Sequence, residues 1–255
     1  MRLTVLGSGS TVPHPERRSA GFWLETNGGT VLLDCSASAI HRVAEEGLEW
    51  PELDAIWISH FHLDHCGGLA SFLAGTKHAP AMKERSKTLK IVGPMGIKRL
   101  IDKFSEVNNY KLLNQSFPID VIEVEALESF AIAEGVEAVA AKTPHTTESH
   151  AIHIRDTDGK TLVYSSDTAF DQSVAALARA VDLFILECTF LKDKPVQKHL
   201  ELAEAMFLIR KAKPKRAMLT HFYPEWDDVE FDEEIAKFSP GCEVIEAFDG
   251  LRVEI

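Results

Sequence analysis

An α/β fold with two sheets covered by helices is what this sequence predicts, on three observations. Short apolar or alternating runs recur from one end of the chain to the other. Helical patterns fall between them, and no Pro/Gly/Ser-rich linker or low-complexity tract divides them. Helices interleaved with strands bury their apolar stripes on sheets, and strand runs in both halves call for two such sheets. At 255 residues the chain is long enough for a substantial core, and one domain spanning 1–255 is expected.

In the first half the strand candidates are "LTVLG" near Leu3, "TVLLDC" to Cys35, "DAIWIS" to Ser59, "LKIVG" to Gly93 and "DVIEVEA" to Ala126. The second half answers with "EAVAAK" to Lys142, "HAIHIR" to Arg155, "TLVYS" to Ser165, "DLFILE" to Glu187, "AMLT" to Thr220 and "LRVEI" at the end. Their length and β-branched content favour strands, several buried on both faces. Helices are expected over Ala37 to Gly47, Pro94 to Glu106 and His199 to Ala212. In the last, Leu202, Met206 and Ile209 recur at helical spacing, a core stripe.

Twenty-seven Lys and Arg against 39 Asp and Glu give a formal charge of −12, so nothing draws polyanions to the chain as a whole. The acidic run "EWDDVEFDEE" (Glu225 to Glu234) and the basic runs "KERSKTLK" (Lys83 to Lys90) and "RKAKPKR" (Arg210 to Arg216) read as solvated faces. Their alternative is a docking surface for an anionic substrate or partner. The four cysteines lie far apart, no charged leader precedes a long apolar segment, and no apolar stretch approaches the ~20 residues of a membrane span. A cytoplasmic, reduced setting away from membranes is expected.

The stretch "ISHFHLDHCGG" (Ile58 to Gly68) packs His60, His62, Asp64 and His65 between a buried strand and a pair of glycines that lead into a helix. In extended backbone His60 and His62 point to one side, and Asp64 and His65 fall where the chain turns into the helix. Satisfied polar side chains are the bland reading; four ligating groups in six positions at a strand end set it aside. Imidazole and carboxylate suit Zn²⁺ or another borderline divalent cation, and too few cysteines lie nearby for a closed thiolate site. Further ligands belong at other strand ends on the same edge. His145 after "EAVAAKTP", Asp167 after "TLVYSS" and His221 after "RAMLT" each lie just beyond an apolar run. His150 and His153 flank or lie within a strand and read as packing or surface residues. His14, His41 and His78 have no supporting context, although His14 is placed to border the pocket.

With HxHxDH, a lone His, an Asp and a last His all present, the sequence resembles the metallo-β-lactamase fold superfamily over nearly its whole length. "LGSGSTVPHPERRSAG" and "LLDC" also resemble that superfamily's opening strands. The resemblance implies a four-layer αββα sandwich holding two divalent metal ions, zinc first, with manganese, iron or nickel as alternatives. By that match His60, His62 and His145 would hold one metal, Asp64, His65 and His221 the other, and Asp167 would bridge them. Asp34 would be a buried support near the site.

A metal pair about 3.5–4 Å apart polarises an electrophile and stabilises both attacking and leaving oxygens, chemistry that serves phosphodiesters, thioesters, lactones and β-lactams alike. An Asp instead of a Cys at the bridging position speaks against the zinc β-lactamases themselves. "DLFILECTF", "KHLELAEA", "LTHFYP" and "LKIVGPMGI" resemble the ribonuclease Z branch and its phosphodiesterase relatives. There a Glu after a strand orients a His at a helix start, and the pair assists the leaving group; Glu187 and His199 occupy those positions. A carboxylate partner raises an imidazole's pKa, so that it can donate a proton near neutral pH. Asp64, Glu187 and His199 form the expected catalytic set.

The departures set the substrate. "DCSASA" (Asp34 to Ala39) stands where that branch has a glycine-rich stretch, and Ser166 where glycine is usual. Only about a dozen residues separate "HAIHI" from Asp167, too few for the long tRNA-gripping arm. The expected function is a metal-dependent phosphodiesterase that uses a hydroxide held between the metals, acting on a small phosphodiester, with RNA less favoured. A ribonuclease Z-type tRNA 3′ endonuclease and a lactone or thioester hydrolase are the alternatives, and a non-catalytic binding module comes third. A homodimer is left open.

Overall fold

Asn27-Gly28 closes the first hairpin of the chain. β1 (Arg2–Gly7), β2 (Gly21–Thr26) and β3 (Gly29–Leu33) form an antiparallel meander in which Thr26 pairs with Gly29. A Cβ on Gly28 would stand 1.7 Å from the Glu134 carbonyl, so only glycine fits between the two halves of the chain there. The computed structural model describes residues 1–255. β4 (Ala55–Trp57), β5 (Leu89–Pro94) and β6 (Ile119–Val124) extend this sheet in parallel.

The second sheet opens with the antiparallel β7 (Ser129–Ala133), β8 (Val136–Lys142), β9 (His150–Arg155) and β10 (Thr161–Tyr164). It continues in parallel through β11 (Leu183–Glu187), β12 (Arg216–Thr220) and β13 (Glu243–Glu246). β14 (Arg252–Glu254) returns to the first sheet beside β1.

Alternation explains the stacking. In the first sheet Leu3, Val5, Phe22, Leu24, Val31, Leu33, Ala55 and Trp57 face the second sheet, while Leu6, Trp23, Leu32, Ile56 and Ile58 face outward. Both faces are apolar, so both need cover. The outward face is covered by α1 (Ala37–Glu45), α3 (Leu69–Thr76) and α4 (Ile97–Glu106), with the single-turn α2 (Leu63–Cys66) ahead of α3. The second sheet's outer face lies under α5 (Gln172–Leu177) and α6 (Leu202–Ala212), and α7 (Phe231–Ala236) packs into the same core. The result is the four-layer αββα sandwich.

Several boundaries differ from the sequence reading. Pro94 ends β5, Met95 lies in the turn, and Gly96 at φ 106° opens α4, which therefore starts at Ile97. α6 starts at Leu202 because Glu201 and Glu204 form a reciprocal capping box, leaving His199 in the preceding loop. β2, β7, β13, α5 and α7 were not among the expected elements. The charged runs are only partly solvated faces: Arg85 is buried and donates to the carbonyls of Pro51, Leu53 and Thr88. Glu225 accepts the Leu191 N–H, and Asp227 pairs with Arg17 and His14. His14 is thus tied to the acidic run and does not line the cavity that Thr11 borders. No helix is long and apolar enough to cross a membrane.

Candidate metal centre

The parallel strands of both sheets end at one edge of the sandwich, and every expected ligand follows a strand there. His60, His62, Asp64 and His65 follow β4, and His145, Asp167 and His221 follow β8, β10 and β12. Their ligating atoms fall into two groups, His60–His62–His145–Asp167 and Asp64–His65–His221, each within 4.8 Å. Asp167 faces both groups. Its Oδ2 lies 3.7 Å from His60 Nε2 and 3.5 Å from His145 Nε2; its Oδ1 lies 3.2 Å from His65 Nε2 and 3.4 Å from His221 Nε2. Asp64 Oδ2 is 3.5 Å from His221 Nε2 and 3.8 Å from His65 Nε2, and His62 Nδ1 is 3.1 Å from His145 Nε2.

Following the protons shows what this cluster lacks. Ser59 donates its hydroxyl to Asp34 at 2.9 Å and so accepts from His60 Nδ1 at 3.1 Å. His65 Nδ1 donates to Asp34 at 2.7 Å, and His145 Nδ1 donates to the Lys198 carbonyl at 2.9 Å. Thr189 donates to Glu187 at 2.8 Å and therefore accepts from His221 Nδ1 at 2.8 Å. With each Nδ1 so engaged, each Nε2 is directed inward toward the carboxylates. His60 Nε2, His65 Nε2, His221 Nε2 and Asp167 Oδ1 are buried without a hydrogen-bond partner. Buried polar atoms left so are costly, and a divalent cation in each group would satisfy them, so the donor set fits metal.

The electrostatics agree. Burial holds His60 and His145 below the usual histidine range, as neutral ligands require. At His65 burial acts the same way, yet the carboxylates of Asp167 and Asp34 outweigh it and push the ring up. Burial would raise Asp167, but His221 and His65 pull it well below the carboxylate range. The carboxylates thus call for the positive charge that cations would provide.

Two buried carboxylates brace the cluster. Asp34 also accepts the Ser59 N–H and the Tyr164 hydroxyl, tying β3, β4, α2 and β10 together. Glu187 accepts His199 Nδ1 at 3.0 Å, the Thr168 N–H at 2.7 Å, the Leu200 N–H at 3.0 Å and the Thr189 hydroxyl. It therefore fixes the loops of Asp167 and His199 and, through Thr189, the ring of His221. His199 Nδ1 lies 4.0 Å from Asp167 Oδ2, close enough for His199 to be grouped with Asp167 and His221. Asp34, Ser166 and His221 turn at φ 59°, 54° and 65°, a left-handed backbone that side chains other than glycine's adopt at some cost.

The cluster opens into a cavity of about 410 Å³ lined by Thr11, His62, Leu63, Asp64, Asp167, Val196, His199, His221 and Tyr223. Tyr223, Thr189 and Tyr164 were not singled out from sequence. Tyr223 lies two residues beyond His221, a proximity that could have flagged it. His150 is buried at the start of β9 and His153 half-buried within it, outside the cluster, while His41 and His78 are exposed.

Fold and donor set are those of the metallo-β-lactamase fold, with a His/Asp cluster that could hold divalent metal. A model of the "Beta-lactamase superfamily domain" matches residues 29–222, and the chain belongs to that family. A ribonuclease Z of Saccharolobus islandicus is 26% identical, covering 90% of this chain and 91% of the relative. The mitochondrial ribonuclease Z 2 of Schizosaccharomyces pombe is also 26% identical; the match covers 98% of this chain but only 38% of that longer relative. Among solved structures, the metallo-β-lactamase fold protein YhfI of Bacillus subtilis superposes with a TM-score of 0.80 at 23% identity, covering 99% of both chains. A diphosphatase of the PhnP family does so with a TM-score of 0.77 at 20% identity, covering 100% of this chain and 97% of that one.

Proposed function

We propose that the chain is a single-domain phosphodiesterase that depends on two divalent metal ions, zinc first, and acts on a small phosphodiester. His60, His62 and His145 would hold one ion, Asp64, His65 and His221 the other, and Asp167 both. When bound, such a pair activates water and neutralises charge that builds on the phosphoryl oxygens. Asp64 orients that side of the cavity by its place between His65 and His221.

The observation that carries the reading is the 3.0 Å contact between Glu187 and His199 at the wall of the cavity. Burial disfavours the imidazolium, but the Glu187 carboxylate outweighs it and raises His199 to about 9, which equips the ring to hold a proton near neutral pH. As water adds to phosphorus and the phosphorus–oxygen bond breaks, the departing alkoxide takes that proton. A thioester leaving group gains less, since a thiolate departs without a proton.

A second reading, tRNA 3′ endonuclease, is favoured by the ribonuclease Z names of the relatives. Against it stands the tight turn of residues 156–160 between β9 and β10, where Asp156 accepts the Gly159 N–H and no arm extends. Assay of the zinc- and manganese-loaded protein with bis(p-nitrophenyl) phosphate, a lactone, a thioester and a pre-tRNA bearing a 3′ trailer tests the proposal. Turnover of the small phosphodiester is expected. Turnover confined to the lactone or thioester would overturn the proposal, and turnover confined to the pre-tRNA would favour the second reading.

A further inference from the structure

The cavity over the metal cluster has a mixed lining. Three histidines, two aspartates and Thr11 are its polar part; Leu63, Val196 and Tyr223 are its apolar part. Leu63 is 70% exposed and Val196 41% exposed, although both are apolar and both line this cavity. Leu63 opens α2 between His62 and Asp64, so its backbone is fixed beside the reacting centre. Tyr223 is fixed too: its ring packs on Phe190 at 4.8 Å and its N–H donates to the Thr189 carbonyl at 3.1 Å.

Exposed apolar side chains at a polar site are surface that a ligand can dehydrate. A second phosphate or a run of phosphates would meet these three side chains where it needs guanidinium, ammonium or N–H donors. An aryl or other apolar arm would instead gain contact with all three. We propose that the substrate is a phosphodiester with one charged phosphate and an apolar or aromatic arm, and that the arm rests on Leu63, Val196 and Tyr223. This rests on the phosphodiesterase reading and names the substrate class for it.

Isothermal titration calorimetry of the metal-loaded protein with diphenyl phosphate and dimethyl phosphate tests the wall apart from turnover. Diphenyl phosphate is expected to bind at least about tenfold more tightly, the scale of burying one apolar side chain. Leu63→Ser and Val196→Ser should each weaken diphenyl phosphate by about tenfold with metal content retained, and Tyr223→Leu should weaken it less than Tyr223→Ser. Equal affinity for the two phosphates, or variants that bind diphenyl phosphate as the parent does, would overturn the proposal. If bis(p-nitrophenyl) phosphate is hydrolysed and the aryl preference is absent, the wall fails and the reaction stands. If no phosphodiester is hydrolysed while diphenyl phosphate binds with the expected dependence on Leu63 and Val196, the wall stands and the reaction fails.

Discussion

Tyr164 donates its hydroxyl across the interface between the two sheets to Asp34, at 2.7 Å, inside the core. The same carboxylate oxygen accepts His65 Nδ1, so one buried group joins the sandwich to the metal cluster. Tyr164→Phe removes one of four donors to Asp34 and leaves the carboxylate buried. A loss of about 1–2 kcal/mol in unfolding free energy is expected, the usual cost of an unmade buried hydrogen bond. Metal affinity should fall as His65 loses its fixed orientation, by up to about tenfold. Denaturant titration of the metal-free protein with metal titration of the folded one measures both, and an unchanged midpoint with unchanged affinity contradicts the bracing role.

Metal stoichiometry is the second expectation. Elemental analysis of the purified protein should give about two divalent ions per chain, as two ligand groups sharing one carboxylate require. Asp167→Ala faces both groups and should lose both ions; His62→Ala should lose the ion of its own group first. A single ion in the parent protein would refute the pairing.

The third concerns pH. His199 at about 9 carries its proton through neutral pH and loses it on the alkaline side, so activity should fall as pH rises through that region. Glu187→Gln removes the anion that favours the imidazolium, which lowers the pKa and moves the alkaline limb to lower pH. His199→Ala should lower kcat by about 10²–10⁴-fold and flatten that limb while keeping its metals. Metal loss from His199→Ala would make His199 a ligand instead of the proton donor.

Ser166 supplies the fourth. It turns at φ 54°, directly before Asp167, and its hydroxyl lies 3.4 Å from His60 Nδ1. Ser166→Gly relieves a left-handed residue at the expense of a long, weak contact. A gain of about 1 kcal/mol is expected, which for a chain of this size raises the melting temperature by about 2–4 °C. A lower melting temperature would show that the serine hydroxyl outweighs the strain.

The seven clustered residues were legible because each follows an apolar run, and parallel strands deliver their ends to one edge. Less visible was what depends on side-chain reach across the fold. Glu187 could be paired with His199 from position, yet its hold on Thr168, Leu200 and Thr189 joins three segments that sequence spacing does not relate. β2 does carry a signal: "GFWLETNGGTVLLD" has Asn27-Gly28 between two apolar runs, the mark of a hairpin. β13 hid because "EVIE" is a four-residue edge strand with a charge at each end. The start of α6 is set by Glu201 and Glu204, a cap that the apolar stripe does not reveal.

Each ligand group draws on both sheets: His60 and His62 follow the first, His145 the second, and the other group divides in the same way, with Asp64 and His65 against His221. Neither half of the chain therefore owns a complete coordination sphere. An ion taken up here would be a clasp that closes only after the halves have met. Chelation, in turn, should first show in amide exchange along the seam at the strand ends, with the helices on the outer faces following later.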